Sequence, residues 1–243
     1  MQIDWTEPFT GGSPVVGYRI YIRQSDGVTY SLELNDCDGA SSQVIIDAQS
    51  CSVQVTTLRG APFNLPWGSS VHAKVVAFNI YGDSEESDSG NGAVIITYAD
   101  APYGLTETVA SRAADSITFS WTEGAANGGS AVTGYKISSD LATGGTFSVI
   151  DTGITETFYT STGLTAGQTY IFKIEAENEF GFSSFSEQVA ILCATIPSKI
   201  ATPSTTVVNS DVIFDWDVPS SNGLPITSYT VTIRKSDLVY AED

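Results

Sequence analysis

The chain has 243 residues and a net charge of −18, and no apolar run approaches the roughly 20 residues that a membrane helix requires. This excess of acid would repel a phosphate backbone or an anionic bilayer, so we expect no nucleic-acid partner and no membrane insertion of this segment. Hydrophobic residues make up 42% and charged residues 16%, so we expect packed cores in one to three domains.

The first predicted strands flank a turn rich in Gly and Pro. A short segment containing Trp5 precedes the turn, and a strand that begins at Tyr18 follows it with alternating apolar and polar side chains. Such alternation indicates antiparallel strands with one buried face. We therefore predict an all-β fold with Trp5 and Tyr18 in its core.

Two cysteines, Cys37 and Cys51, bracket a turn-rich span of 13 residues. A disulfide between them would stabilise the fold by roughly 3 kcal/mol in the loop-entropy model. Paired cysteines in secreted-type modules usually bond, and two buried thiols are the alternative. Cys193 is expected to be a small buried hydrophobe, with an intermolecular bond as its alternative.

Acidic residues cluster after the predicted strand at residues 71–79. Four of the six residues at 83–88 are Asp or Glu. A second group, Asp36, Asp38 and Asp47, lies around the two cysteines. Carboxylate oxygens could hold Ca²⁺, but no Asp-x-Asp-x-Asp-Gly loop with a distal Glu is present. We therefore expect solvated loops and no metal site.

The same order of elements returns after a predicted linker at residues 98–102. A predicted strand that contains a Trp (a Trp strand) is followed by a Gly-rich turn and by a predicted strand that begins with a Tyr (a Tyr strand). A second predicted linker, at residues 193–197, ends this copy. The Trp and Tyr of this copy are Trp121 and Tyr135, and we expect both in its core.

A third Trp strand and Tyr strand, with Trp216 and Tyr229, follow the second linker. Residues 1–32 and 212–243 align without a gap at an offset of 211 residues, with eleven identities. The successive Trp residues are 116 and 95 positions apart, each about one sandwich domain. The first and third copies therefore belong to one subtype.

These motifs resemble the fibronectin type III family. The family has a core Trp on its second strand, a core Tyr on its third, a Leu-x₅-Tyr corner and an Ala-x-Asn-x-x-Gly strand end. The middle copy has the pattern at Trp121, Tyr135, Leu164, Tyr170, Ala176, Asn178 and Gly181. In the first copy Val71 replaces the corner Tyr, and Trp67 is expected to fill that space.

The resemblance implies tandem immunoglobulin-like β-sandwiches of the fibronectin type III kind. We predict a domain without its first strand at residues 1–98, a complete domain at residues 101–197, and the N-terminal half of a third at residues 198–243.

Motifs that carry catalysis are not found. There is a single His, His72, and neither a nucleophile elbow nor a phosphate-binding loop occurs, so we expect no catalytic residue and no cofactor.

The resemblance implies a non-catalytic structural or adhesive module of a large extracellular repeat protein. Open strand edges recruit strands from other chains, so we expect head-to-tail self-association into a homopolymer or fibre by strand or half-domain complementation. Other extracellular proteins or glycans are further expected partners. The alternative is a carbohydrate- or protein-binding accessory module of a secreted enzyme, with Trp67 as the first residue to examine for ligand contact.

Overall fold

The computed structural model describes residues 1–234 and 240–242 of the chain. Almost all regular elements are antiparallel strands, so the predicted all-β fold is confirmed. Its contacts define two compact units. Unit 1 comprises Met1–Asp100, Ala125–Val132 and Glu177–Phe182, and unit 2 comprises Ala101–Gly124, Thr133–Ala176 and the described part of Ser183–Asp243. The predicted domain boundaries themselves stay a prediction.

Residues 1–100 of unit 1 form strands and two short helices. These are β1 (Gln2–Asp4), β2 (Gly17–Arg23), β3 (Tyr30–Leu32), α1 (Gln43–Ala48), β4 (Ser50–Ser52), α2 (Val55–Arg59), β5 (Ser70–Asn79), β6 (Gly82–Asp83) and β7 (Gly90–Val94). One sheet has the order β3-β2-β5-β6, with β7 also paired to β5, and β1 pairs with β4 in a second sheet.

The core of unit 1 follows from alternation along β2. Tyr18, Ile20 and Ile22 point inward and are at most 2% exposed. The helix α1 lies in the span predicted as turns. Ile45 and Ile46 pack against the core, and this burial stabilises a six-residue helix that would not persist alone.

The remaining described residues form β8 to β19 and a 3₁₀ turn at Val109–Ser111. The strands are β8 (Tyr103–Glu107), β9 (Ser116–Thr122), β10 (Gly134–Ser139), β11 (Ser148–Ile154), β12 (Phe158–Thr162), β13 (Thr169–Asn178), β14 (Gly181–Phe182), β15 (Val189–Leu192), β16 (Ser204–Val208), β17 (Asp211–Asp215), β18 (Thr232–Arg234) and β19 (Tyr240–Glu242).

Two of the sheets in this part of the chain pack as a sandwich. One has the order β12-β9-β8, and the other has the order β11-β10-β13-β14 with β15 also paired to β13. Phe119 of β9 and Phe172 of β13 meet in the core with ring centroids 4.5 Å apart. Both side chains are fully buried, as expected for facing sheets whose inner side chains interdigitate.

The third copy differs from its predicted packing. Strands β16 and β17 pair as a hairpin, and every residue of both strands is exposed. Tyr229 is 39% exposed and Trp216 is half-buried, so the expectation that both are core residues is not met. The described residues of this copy form only the two-stranded sheets β16–β17 and β18–β19, and all residues of β16, β17 and β18 are exposed. The repeated Ser236 and Asp237 lie outside the described residues.

Candidate functional site

The three predicted Trp–Tyr pairs are each brought together. Ring centroids are 5.2 Å apart for Trp5 and Tyr18, 5.2 Å for Trp121 and Tyr135, and 5.4 Å for Trp216 and Tyr229. In the middle copy both Trp121 and Tyr135 are buried. In the first copy Tyr18 is buried, whereas Trp5 is half-buried. Burial raises the pKa of Tyr18 and of Tyr135, with nearby acidic side chains as a smaller cause.

Among the described residues, the tyrosine corner is formed in the middle copy. The backbone N–H of Thr165 donates to the Tyr170 hydroxyl at 2.9 Å, and the side chain of Leu164 is half-buried. In unit 1 Val71 is buried at the corresponding place. The expectation that Trp67 fills the corner is wrong, because Trp67 is 37% exposed and stacks against the Arg59 guanidinium at 4.1 Å.

The cysteines are placed as predicted. Cys37 and Cys51 form a disulfide that joins the loop before α1 to β4. Cys193 is a fully buried free thiol that donates to the carbonyl oxygen of Ala114 at 3.4 Å. Burial raises the pKa of this thiol, which disfavours the reactive thiolate.

Carboxylates in unit 1 serve as acceptors for loop backbone. The buried Glu33, which the sequence did not single out, accepts N–H groups from residues 35–37 at 2.6–3.0 Å. Asp36 accepts from the N–H of Gln54 and the hydroxyl of Thr57, and these bonds lower its pKa. In the described part of the chain, no group of three or more His, Cys, Asp or Glu side chains could hold a metal ion.

A connector after the strand β7 is fastened by a short ladder of bonds within unit 1. The N–H of Thr97 donates to the carbonyl of Gly128, and the N–H of Asp100 donates to the carbonyl of Ala126, both at 2.8 Å. The Asp100 side chain accepts the N–H of Ala126 in return. The amide of Asn178 adds a bond of 2.8 Å to the carbonyl of Thr97.

The same ladder recurs within unit 2 after the strand β15. The N–H of Thr195 donates to the carbonyl of Asn222 at 3.0 Å, and the N–H of Ser198 donates to the carbonyl of Ser220 at 2.9 Å. The Ser198 hydroxyl accepts the N–H of Ser220, as the Asp100 carboxylate does for Ala126. We call this arrangement of two backbone bonds and one side-chain bond the connector ladder.

A groove runs along one edge of β1 in unit 1. On its other edge, β1 pairs with β4, from Gln2 opposite Ser52 to Asp4 opposite Ser50. No strand among the described residues pairs with the groove side. The groove encloses about 430 Å³, and its walls include the apolar side chains of Met1, Ile3, Trp5, Val71, Ala73, Val75 and Ala93. We call it the β1 groove.

Exposed aromatic residues gather at one loop end of unit 1. Phe9 is 95% exposed and Tyr81 is 85% exposed, and both line a pocket of about 290 Å³. The turns around Tyr81 and Phe180 have the same local geometry, since Asn79 and Asn178 each accept the N–H two residues on. Phe180 packs edge-on against a neighbouring ring at 4.7 Å, whereas Tyr81 makes no such ring contact among the described residues.

Comparison with known proteins shows that residues 100–191 match the fibronectin type III domain. Receptor-type tyrosine-protein phosphatase F of Bos taurus is 26% identical over 85% of this chain and 11% of its own length. Titin of Drosophila melanogaster is 27% identical over 92% of this chain and 1% of its own length. Fibronectin type-III domain-containing protein 3A of Homo sapiens is 36% identical over 29% of this chain and 6% of its own.

Among solved structures, domains A168–A170 from titin cover 72% of this chain with a TM-score of 0.48 and 24% identity, and the match spans 53% of that chain. This chain thus spans only a small part, between 1% and 11%, of the curated relatives named above.

The strand content and the packed sheets define an all-β protein built from sandwich modules. Residues 100–191 match the fibronectin type III domain, and the recurring Trp–Tyr pairs support tandem repeats similar to that domain. Such repeats place the chain in the class of structural or binding modules.

Proposed function

We propose that this chain is a non-catalytic structural and adhesive module of a large extracellular repeat protein, and that its copies associate with one another. The observation that carries the proposal is the connector ladder, which occurs twice with the same geometry. A segment that only joins two modules loosely has no need of repeated, matching hydrogen bonds. A module that sets spacing within an array does need them.

The disulfide supports the extracellular part of the proposal. Structural disulfides persist in oxidising compartments and are rare in the cytosol. The bond between Cys37 and Cys51 encloses α1 and part of β4, so it belongs to the folded core of unit 1.

Thiol trapping and surface labelling test the location. We expect Cys37 and Cys51 in native material to resist alkylation until a reductant is added, and a membrane-impermeant amine reagent to label the protein on intact cells. Buried Cys193 serves as the internal control, because it becomes reactive only on unfolding. Alkylation of Cys37 and Cys51 in the folded protein before reduction, with no surface labelling, contradicts the extracellular proposal.

Sedimentation velocity tests the association. The chain has a mass of 25.7 kDa, and we expect larger species to grow with protein concentration. A single species of monomer mass at concentrations up to about 1 mM, the weak end of specific association, contradicts this part of the proposal.

The exposed loop end around Phe9 and Tyr81 favours a second candidate function, the binding of a glycan or a partner protein. Exposed aromatic rings around one pocket provide large contact areas at low entropic cost. The double variant Phe9→Ala/Tyr81→Ala should lose binding to a polysaccharide or protein array. The control Tyr103→Ala removes a ring that is 55% exposed elsewhere. Equal binding by the double variant and the control would rule this function out.

A further inference from the structure

Strand β12 lies at the edge of a sheet in unit 2. Its sheet has the order β12-β9-β8, so β9 pairs along one edge of β12, and no strand among the described residues pairs along the other edge. Phe158, Thr160 and Thr162 are exposed, whereas Ser161 is buried in the sandwich. The free edge of β12 therefore borders an accessible face of the sheet.

The backbone of β12 presents hydrogen-bonding groups along this free edge. The N–H of Trp121 donates to the carbonyl of Thr157, one residue before β12, at 3.0 Å. In an antiparallel pair, residues bonded to the neighbouring strand alternate with residues whose N–H and C=O groups point the other way. Phe158, Thr160 and Thr162 therefore direct these groups to the free edge, where they can bind a further strand.

Strand β11, at the edge of the facing sheet, is protected against such pairing. It contains Asp151 and Gly153, and its pairing with β10 has two irregularities in register. Charges and bulges are common means by which proteins block the addition of a strand. Strand β12 has neither: its five residues are Phe, Tyr, Thr, Ser and Thr, and all five pair with β9 in regular register.

In unit 1 the corresponding edge is engaged by the protein itself. Strand β4 pairs with β1 there, as β12 pairs with β9 in unit 2. The N–H of Gln54, two residues after β4, donates to the Asp36 carboxylate at 3.0 Å, and the disulfide joins Cys51 of β4 to the loop before α1. Unit 1 therefore does not offer the same open edge.

Charge favours a second copy of this chain as the occupant of the β12 edge. Residues 157–172 contain no Asp, Glu, Lys or Arg, in a chain with a net charge of −18. The neighbouring strand β9 is uncharged as well. Two identical surfaces that meet across a two-fold axis place groups near their own images, so a charged edge would repel itself and this one does not.

From these observations we propose that β12 pairs antiparallel with β12 of a second copy, with the two-fold axis at Thr160. Thr160 would lie opposite its own image, and Phe158 would lie opposite Thr162 of the second copy, so that these residues exchange backbone hydrogen bonds. Their exposed side chains would form Thr–Thr and Phe–Thr cross-strand pairs, which stabilise sheets. This inference rests on the self-association proposed above and names its contact.

The contact is small and closes on itself. A standard specific interface buries about 800 Å² on each partner, more than a strand of this length provides, so we expect weak association. Because the same strand is used by both copies, the contact is isologous and joins copies in pairs.

Disulfide trapping tests the register. The two Cα atoms of residue 160 would be about 5.5 Å apart, within the range of a disulfide, so a Thr160→Cys chain should give a covalent dimer under mild oxidation. The matched control is Thr162→Cys, also exposed on this face, which would lie roughly 14 Å from its own image. The remaining thiol, Cys193, is buried in both chains. Equal yields from the two chains, or no dimer from either, contradict the proposal.

A charge at the two-fold axis tests the contact without a new covalent bond. Thr160→Lys places a Lys beside its own image, and Lys is a residue with which natural edge strands block pairing, so we expect the dimer to be lost. Thr152→Lys is the matched control, because it adds the same charge at an exposed Thr of β11 and should associate as the parent chain does. Sedimentation velocity measures both variants, and circular dichroism verifies that they are folded.

The outcomes separate the two proposals. Association of Thr160→Lys that equals that of Thr152→Lys overturns the β12 contact and leaves self-association standing. A parent chain that sediments as a monomer throughout, together with no covalent dimer of Thr160→Cys, overturns both.

Discussion

Acidic side chains in this protein repeatedly accept hydrogen bonds from loop backbone. The buried Asp140 accepts the N–H groups of Ala142, Gly144 and Ile171, and Glu33 accepts three N–H groups in unit 1. Charge-assisted bonds of this type hold irregular segments in one conformation. Part of the strongly negative composition is therefore explained by loop structure rather than by a ligand.

Asp36 gives a pH-dependent contribution with a definite sign. Its hydrogen bonds to Gln54 and Thr57 lower its pKa below the ordinary value of about 3.9. The resulting stability is fully present above that value and is lost as pH falls through the lower folded pKa. We expect Asp36→Asn to reduce the fall in the urea midpoint as the pH is lowered from 5, above the ordinary pKa of the carboxyl group, to 2.

The matched control for Asp36→Asn is Glu85→Gln, because Glu85 is exposed on the loop after β6. This control should follow the parent chain at both pH values. Parallel curves for Asp36→Asn and the parent would contradict the assigned role of Asp36.

Tyr170 tests the corner hydrogen bond. Tyr170→Phe leaves the N–H of Thr165 without its 2.9 Å partner, so we expect a loss of about 1 kcal/mol in the free energy of unfolding. Tyr103→Phe is the control, because its ring is largely exposed in the same unit. Chemical denaturation measures both, and an unchanged value for Tyr170→Phe would show that the corner bond contributes nothing net.

At the scale of elements, the disulfide should stabilise unit 1 through the chain it closes. Its ends are 14 positions apart, so the loop-entropy model gives about 3 kcal/mol. We expect Cys37→Ala/Cys51→Ala to lower the unfolding free energy by that amount, measured by denaturation without reductant. Reductant should destabilise the parent chain but not the double variant, and an equal response of both would contradict the assignment.

Elements with a repeated motif could be predicted from sequence. The pairing of Trp121 with Tyr135 and the placement of Tyr170 at the corner were implied by the resemblance of this copy to the fibronectin type III pattern. Helix α1 could not be predicted, because its stability comes from Ile45 and Ile46 packing against a core formed by distant residues. The position of Trp67 could not be predicted for a similar reason, because the ring contacts Arg59, which belongs to α2 and not to the corner.

The candidate site was only partly predictable. A proline in each segment marked the connectors at residues 98–102 and 193–197, but nothing in the sequence marked their bonds to Ala126 or Ser220. Backbone N–H and C=O groups are the same in every residue, so sequence cannot reveal which loop will satisfy them. Burial likewise depends on neighbouring strands, which explains why Trp121 and Trp216 differ although their motifs agree.

At the scale of the whole molecule, the net charge of −18 opposes contact between copies. Raising ionic strength from 0.01 M to 0.15 M shortens the Debye length from about 30 Å to about 8 Å. We therefore expect association to strengthen over this range, measured by sedimentation velocity. This dependence is opposite in sign to that of a nucleic-acid-binding protein.

Sucrose at matched osmolarity is the control for the salt series, because it changes the solution without screening charge. A chain that associates less as salt is added would show that attraction between opposite charges, and not relief of repulsion, governs the contact.

The bond between Cys37 and Cys51 also affects how the protein responds to tension. When a load pulls on the polypeptide, the 13 residues between the two cysteines cannot extend while the bond is intact. At about 3.3 Å per extended residue, and with the two Cα atoms already 5.4 Å apart, this withholds about 40 Å of contour length. Reduction of the disulfide would release this length, so the contour length of an unfolded module depends on the redox state of its surroundings.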